Sequence, residues 1–224
     1  MLIKYTLVSE IPQRIPVFPL RGALLLPRAT LPLNIFEPRY LAMIDEVMTG
    51  HRILGIVQPA GGDDSESPQG NDYGVRAVGC AGRLTAYQEL DDGRLMITLT
   101  GVCRFRIASE AEGPAPYRCF NVNYQEFAQD LDAGAGEDTV DRDVLHRVLK
   151  AYLESNRLSA DWQAIADAPT ELLVNALSVI SPFAAEEKQA LLEAPTLKDR
   201  ADVLVALTQM ELASNDDNSG GTLQ

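Results

Sequence analysis

The sequence is poor in the residues that build disulfide frameworks and metal sites. Its 224 residues include three cysteines and two histidines. The odd number and wide spacing of Cys80, Cys103 and Cys119 argue against disulfides or a zinc site, and their apolar or alternating surroundings predict buried, reduced thiols. Because His51 and His146 each lack a second nitrogen or sulfur ligand within one helical turn, no metal site is predicted.

Long hydrophobic runs are also missing. No stretch approaches the roughly 18 consecutive apolar residues that span a bilayer. Residues 1–12 lack the basic start, apolar centre and small-residue cleavage site of a secretory signal. We therefore expect a cytoplasmic protein that does not bind membranes, which agrees with reduced cysteines.

Catalytic motifs are absent from the sequence as well. None of the four lysines follows a glycine, so there is no phosphate-binding G-x-x-x-x-G-K-[ST] loop. No glycine-rich turn places a serine beside a lysine or histidine base, and no G-x-G-x-x-G follows a predicted strand. These absences predict a protein that has no catalytic residues and no cofactor, and that is not an enzyme.

Charge is distributed unevenly along the chain, whose formal net charge is −13. Residues 1–125 carry 12 basic and 13 acidic side chains, whereas residues 126–224 carry 7 and 19. The acidic second half repels phosphate backbones, so nucleic acid is an unfavoured partner. Eleven of the twelve bases in residues 1–125 are arginine, and a candidate anion-binding set on one barrel face is Arg83, Arg94, Arg104 and Arg106. The alternative is that these arginines serve surface solubility.

Short, turn-separated strands are predicted for residues 1–127. Strand-like runs occur at 14–18, 24–26, 53–58, 75–90, 95–100, 102–109 and 118–124. The Asp91-Asp92-Gly93 segment is typical of a hairpin turn. Alternation of Cys103, Phe105 and Ile107 with arginines predicts one face in the core and the arginines toward water. Six or seven such strands favour a closed or nearly closed barrel.

One helix is predicted inside this barrel domain, from residue 38 to about residue 49. Glu37 is placed at the N-cap, Pro38 at the first helical position and Gly50 at the stop. Arg39 opposes the helix dipole in the first turn, so we expect it to pair with a carboxylate such as Glu37.

After a linker at residues 128–138 the hydrophobic period becomes helical. The sequence predicts a helical bundle over residues 139–212, whose first helix packs back on the barrel. A disordered tail is predicted at 213–224, and a long polar surface loop at 60–74. The predicted class is therefore α+β, with an N-terminal barrel and a C-terminal bundle.

Several segments resemble the N-terminal, substrate-binding domain of the Lon protease family. The resemblance is strongest in IPVFPL (15–20), LLP (25–27) and LPLNIFEPRY (31–40) with the helix LAMIDEVM (41–48). It continues through LMITLTGVCRFRI (95–107) and EKQALLEAPTLKDRADVLVAL (187–207). It implies a PUA-like β pseudo-barrel, here without the ATPase and peptidase domains of full-length Lon proteases.

The resemblance also implies a function and partners. It suggests a non-enzymatic module that binds unfolded or degron-bearing polypeptides, an adaptor that could work with a protease or chaperone. The alternative is RNA or nucleotide binding, since PUA-like barrels in other families bind RNA. The proline-rich apolar strands make a homodimer a further candidate.

The predicted peptide site is a groove between barrel and bundle, or a barrel edge open to strand addition. Its candidate residues are Phe18, Leu20, Phe36, Glu37, Arg39 and Tyr40. The alternative for Phe18, Phe36 and Tyr40 is a place in the barrel core, and for Glu37 and Arg39 the start of the helix.

Overall fold

The computed structural model describes residues 4–60, 74–155 and 161–219, with side chains up to residue 213. Six strands form one mixed sheet: β1 (Arg14–Pro19), β2 (Thr30–Ile35), β3 (Ile53–Val57), β4 (Val78–Glu89), β5 (Leu95–Ala111) and β6 (Cys119–Asn123). Most of the predicted loop at 60–74 lies outside the described residues.

The sheet closes into a pseudo-barrel because the long strand β5 has two partners on one of its edges. β4 pairs along the other edge of β5, while β2 pairs with its first half and β6 with its second half. The ring is completed by antiparallel pairing of β6 with β1 and β3 with β4, and by parallel pairing of β1 with β3. The fold class predicted from the sequence is thus confirmed.

Strand β2 was not among the strand-like runs named above, although Pro32 and the other prolines of residues 15–48 indicate edge strands and turns. Proline is tolerated here because β2 lies at an edge and pairs with β5 alone among the described residues. The predicted strand at 24–26 is instead a buried loop, packed by Leu24, Leu25 and Leu26. The two predicted strands at 95–100 and 102–109 are one continuous strand.

Helix α1 (Pro38–Thr49) confirms the prediction at both ends. Glu37 is the N-cap and Gly50 the C-cap, and Arg39 pairs with Glu37 at 2.9 Å. The helix buries its apolar stripe in the barrel core through Tyr40, Met43, Ile44 and Val47. The hairpin turn at residues 91–93 is also confirmed, with Gly93 at a positive φ of 82°.

In the described part of the chain, five further α-helices follow the barrel: α2 (Arg142–Ser155), α3 (Trp162–Asp167), α4 (Thr170–Ile180), α5 (Ala185–Glu193) and α6 (Leu197–Ser219). The expectation that the first of these packs on the barrel needs correction, because α2 packs mainly against α6. The barrel is contacted instead by α5, which lies on β4, and by α4, whose Asn175 donates to the Pro27 carbonyl at 3.1 Å.

The segment between barrel and helices is also structured. Short 3-10 helices occupy Gln125–Leu131 and Glu137–Thr139 within and beside the predicted linker at 128–138. Helix α6 continues to Ser219, beyond the start of the tail that was predicted to be disordered from residue 213; the disorder of that tail stays a prediction. Residues 220–224 lie outside the described part.

A buried ion pair joins the barrel to the helices. Arg104 of β5 is only 1% exposed, and its Nε and Nη2 donate to the two oxygens of Asp130 at 2.9 and 2.8 Å. Its Nη1 donates to the carbonyl of Leu192 at the end of α5. The expectation that Arg104 faces water is therefore corrected, because the outer face of β5 is covered by the 125–131 helix and by α5.

Candidate functional site

An open cleft lies between the start of β2 and helix α4, where barrel and helices meet. Its volume is about 590 Å³. We call it the barrel–helix groove. Three segments line it: Pro27 to Thr30, the turn residues Ala133, Gly134 and Glu137, and the α4 side with Pro169, Glu171, Leu172, Asn175, Ala176, Val179 and Ile180.

The α4 wall of this groove is apolar and exposed. Leu172 is 52% and Ile180 73% exposed, although the same helix also buries Leu173 and Val174 in the core. Helix α4 is therefore hydrophobic on both sides, while a surface helix normally shows water a polar face. Grouped exposed apolar side chains in a concave surface are typical of binding sites.

A network of hydrogen bonds joins the three segments that line the groove. Arg28, whose φ of 64° is positive, donates from Nε to Glu171 at 3.0 Å and also pairs with Glu171 through Nη2. Glu171 further accepts from the Gly134 N–H at 2.9 Å, and its own N–H donates to Glu137 at 2.8 Å. The groove is thus largely pre-formed, which lowers the entropy cost of binding an extended chain.

The predicted peptide-binding residues gather at a different place, around the start of α1. Phe18 and Tyr40 are buried with ring centroids 4.1 Å apart, and Leu20 is half-buried. Phe36 is 65% exposed. None of these residues lines the barrel–helix groove. Thr30, at the start of β2, lines the groove, whereas Phe36 follows the other end of this strand, about 20 Å away at the usual rise per residue.

Of these candidates, the exposed ones form a small corner. Arg39 pairs with Glu37 and lies 4.6 Å from the centroid of the Tyr40 ring. Met96 lies on β5 opposite Asn34 and is 48% exposed, which places it diagonally next to Phe36 on the outer sheet face. Phe36, Glu37 and Arg39 remain candidates for ligand contact, whereas Phe18 and Tyr40 build the core.

The four predicted anion-binding arginines do not share one partner or one environment. Arg94 pairs with Asp92 in the hairpin turn, and Arg106 pairs with Glu126. Arg104 is buried against Asp130, so an external ligand cannot reach it. Arg83 donates to the Tyr5 hydroxyl at 3.0 Å and to the His51 carbonyl at 3.3 Å.

The thiols are poorly suited to nucleophilic chemistry. Burial raises the pKa of Cys80, and it raises the pKa of Cys103 to about 12. Burial also raises the pKa of the half-buried Cys119. An activated cysteine needs a lowered pKa instead. Within the described residues, no three His, Cys, Asp or Glu side chains are grouped as metal ligands would be.

The described helices are also too short or too polar to cross a bilayer.

The barrel–helix groove was not located by residue in the sequence, although a groove between the two parts was expected. The sequence signal for it is the presence of apolar residues outside the buried face of a helix. Leu172 and Ile180 are such residues on α4, but they can be recognised in the sequence only once the buried face of the helix is known.

Known proteins with related sequences are proteases several times longer. The chain is 26% identical over 208 residues to Lon protease of Flavobacterium johnsoniae, covering 91% of this chain and 25% of that protein. It is 26% identical over 202 residues to Lon protease of Desulfosudis oleivorans, covering 86% and 23%. The chain thus spans about a quarter of the length of these relatives.

Solved structures share the fold. The Lon N-terminal domain protein from Xanthomonas campestris superposes with a TM-score of 0.61 at 22% identity, covering 86% of this chain and 97% of that one. The N-terminal domain of Mycobacterium avium complex Lon protease gives 0.62 at 18% identity, covering 88% and 98%. The family described as the ATP-dependent protease La (LON) substrate-binding domain matches residues 14–209. The chain therefore belongs to the Lon substrate-binding domain family.

Proposed function

We propose that this chain is a non-enzymatic module that recognises unfolded or degron-bearing polypeptides by holding apolar, extended segments in the barrel–helix groove. The observation that carries the proposal is the exposed apolar wall of α4, with Leu172 and Ile180 on its surface. An unfolded segment differs from a folded protein in offering apolar side chains to such a wall. Membership of the family supports the same role.

Strand β2 offers the backbone contacts that such a segment needs. The Gly101 N–H donates to the carbonyl of Ala29, the residue just before β2. In an antiparallel pair every second residue directs its N–H and C=O to the partner strand, so Ala29 and every second residue after it face β5. Thr30, Pro32 and Asn34 then direct theirs to the outer edge. A peptide added there would gain main-chain hydrogen bonds at Thr30 and Asn34, while Pro32, which has no N–H, limits uncontrolled pairing.

An added strand would join the two candidate surfaces. Thr30 lines the barrel–helix groove, and Phe36 is exposed just beyond the other end of β2. A segment of about six residues in extended form covers this span. Apolar side chains near one end would enter the groove, and one near the other end would contact Phe36 beside the Glu37–Arg39 pair.

The adaptor role is part of the proposal. A module that holds clients without cleaving them needs a protease or chaperone to act on them, and Lon proteases contain a homologous domain. RNA binding is not favoured, because Arg28, the one cation among the described residues that line the barrel–helix groove, is already paired with Glu171. A homodimer and a cytoplasmic location remain predictions.

The test uses reduced, carboxymethylated α-lactalbumin, a permanently unfolded polypeptide, labelled with fluorescein and titrated by fluorescence anisotropy. Leu172→Asp places a charge in the apolar wall and should weaken binding about tenfold or more. Met210→Asp is the matched control, since Met210 is an equally exposed apolar residue on another helix, α6. Phe36→Ser should weaken binding by a smaller factor.

Met210→Asp should bind the unfolded polypeptide as well as the unchanged chain does. The proposal fails if Leu172→Asp binds it as tightly as Met210→Asp does. A loss confined to Phe36→Ser would move the site to the corner at the start of α1.

A further inference from the structure

A second groove adjoins the barrel–helix groove and differs from it in charge. Its volume is about 440 Å³. We call it the basic groove. It is lined by Lys4, Tyr5, Arg28, Arg83, Thr85, Thr100, Gly101, Val102, Leu131 and Ala133. Arg28 and Ala133 line both grooves, so a bound chain that passes Arg28 moves from one groove into the other.

Two cationic side chains in the basic groove, Lys4 and Arg83, have no carboxylate partner among the described residues. No carboxylate is among its lining residues in the described part of the chain. Arg28 is neutralised by Glu171, but Arg83 donates to neutral acceptors, the Tyr5 hydroxyl and the His51 carbonyl. Lys4 is exposed and forms no ion pair with a described residue.

This local positive charge is opposite in sign to the net charge of the chain, which is −13. Other arginines, such as Arg94, Arg106 and Arg118, pair with a carboxylate. Two cations left without a carboxylate in one concave surface favour an anionic ligand group. The hydroxyls of Thr85 and Thr100, 3.0 Å apart, add hydrogen-bonding groups to the same surface.

We propose that the basic groove binds the C-terminal carboxylate of the client polypeptide, so that the preferred ligand is an apolar segment at a chain end. This inference rests on the proposed function of the barrel–helix groove. A guanidinium matches the two oxygens of a carboxylate. A terminus is favoured over an acidic side chain because a degron at a chain end is available without unfolding the client.

The test compares two forms of one fluorescein-labelled peptide, GSALVSFLA, with a free C-terminal acid or a C-terminal amide. The unchanged chain should bind the acid about tenfold more tightly than the amide, as expected for a charge-assisted hydrogen bond. Lys4→Gln with Arg83→Gln should bind both forms equally, at the affinity that the unchanged chain has for the amide. Arg94→Gln, the control for loss of one arginine, should keep the tenfold preference.

Two further variants protect the test against loss of folding. Lys4→Gln alone alters an exposed side chain and should reduce the preference for the acid, while Arg83→Lys should retain part of it. Moving the carboxylate to an internal aspartate of the amidated peptide should not restore tight binding.

Three outcomes would overturn the inference. Equal binding of acid and amide to the unchanged chain removes the carboxylate site but leaves the proposed function intact, whereas no binding of either form removes both. Restoration of tight binding by the internal aspartate would assign the groove to acidic side chains. A single-stranded RNA that displaces the acid peptide, with affinity falling steeply in salt, would assign it to nucleic acid.

Discussion

Replacing Asp130 by asparagine should destabilise the protein severely, because it leaves the Arg104 guanidinium charged and buried. Asp130 accepts three hydrogen bonds from Arg104: one from the backbone N–H at 2.9 Å, one from Nε and one from Nη2. An asparagine offers one acceptor oxygen, and its amide N–H groups would face donors. The side chains are 2% and 6% exposed, so water cannot replace the lost contacts.

Breaking a buried pair of this kind costs about 3–5 kcal/mol. Domains are stable by only about 5–15 kcal/mol. For a chain of this size the change corresponds to a fall of about 10 °C in the unfolding temperature. Urea denaturation followed by far-UV circular dichroism measures the loss.

Glu126→Gln is the matched control. Glu126 pairs with Arg106 only two residues along β5 from Arg104, but both side chains are about half-exposed, so the expected loss is below about 1 kcal/mol. Replacing Asp130 and Arg104 together by leucine and methionine should recover most of the stability, since an apolar pair leaves no buried charge. If Asp130→Asn lowers the free energy of unfolding no more than Glu126→Gln does, Arg104 is not buried as described, and the described packing of the helices on the barrel is wrong.

Two further predictions concern the barrel interior. Burial raises the pKa of Cys103 from 9.0 to about 12, so the folded state keeps a proton that the unfolded state loses, and the free energy of unfolding should fall as pH rises from 9 to 12. In Cys103→Ser the fall measured by urea denaturation between pH 8 and pH 10 should be smaller by about 1 kcal/mol, and an unchanged fall would contradict the assignment. At Gly101 an added Cβ would lie 1.9 Å from the Leu26 carbonyl oxygen, so Gly101→Ala should lower the free energy of unfolding, measured by thermal unfolding, by about 3 kcal/mol. The control is Gly50→Ala, whose added Cβ has its nearest contact at 3.6 Å and should leave stability nearly unchanged. Equal losses in the two variants would refute the close approach of Gly101 to Leu26.

Local signals in the sequence were sufficient for most elements of the fold. The cap, proline and stop residues around α1 act within a few residues of each other, and so do Thr196 and Asp199, which bond reciprocally at the start of α6. The hairpin between β4 and β5 depends on Gly93 in the same way. Each of these features is local, because its stabilising contacts come from neighbours in the chain.

The extent of strand β2 and the burial of Arg104 could not be predicted in this way. Pro32 indicates an edge strand, but the partner of β2, which is β5 alone among the described residues, is known only from the tertiary structure. Alternation along β5 predicted that Arg104 faces water, and this failed because α5 and Asp130, 26 residues further on, cover that face.

The candidate site could be predicted only in part from the sequence. The apolar and charged residues at the start of α1 were visible as a motif, but the structure places Phe18 and Tyr40 in the core and leaves Phe36 exposed. Of the four predicted anion-binding arginines, only Arg83 lines one of the two grooves described above. Residue type alone did not distinguish the residues that are buried from those that are exposed or line a groove.

The sequence by itself determined the family, the α+β class and the ends of α1, since all three rest on contiguous motifs and on local backbone preferences. Tertiary structure alone decided which surfaces are open. Thr30 and Ile180 line the same barrel–helix groove, and Lys4 and Arg83 line the same basic groove. Such pairs are distant in the chain, and whether they are buried, paired or exposed depends on how the barrel closes and where the helices pack on it.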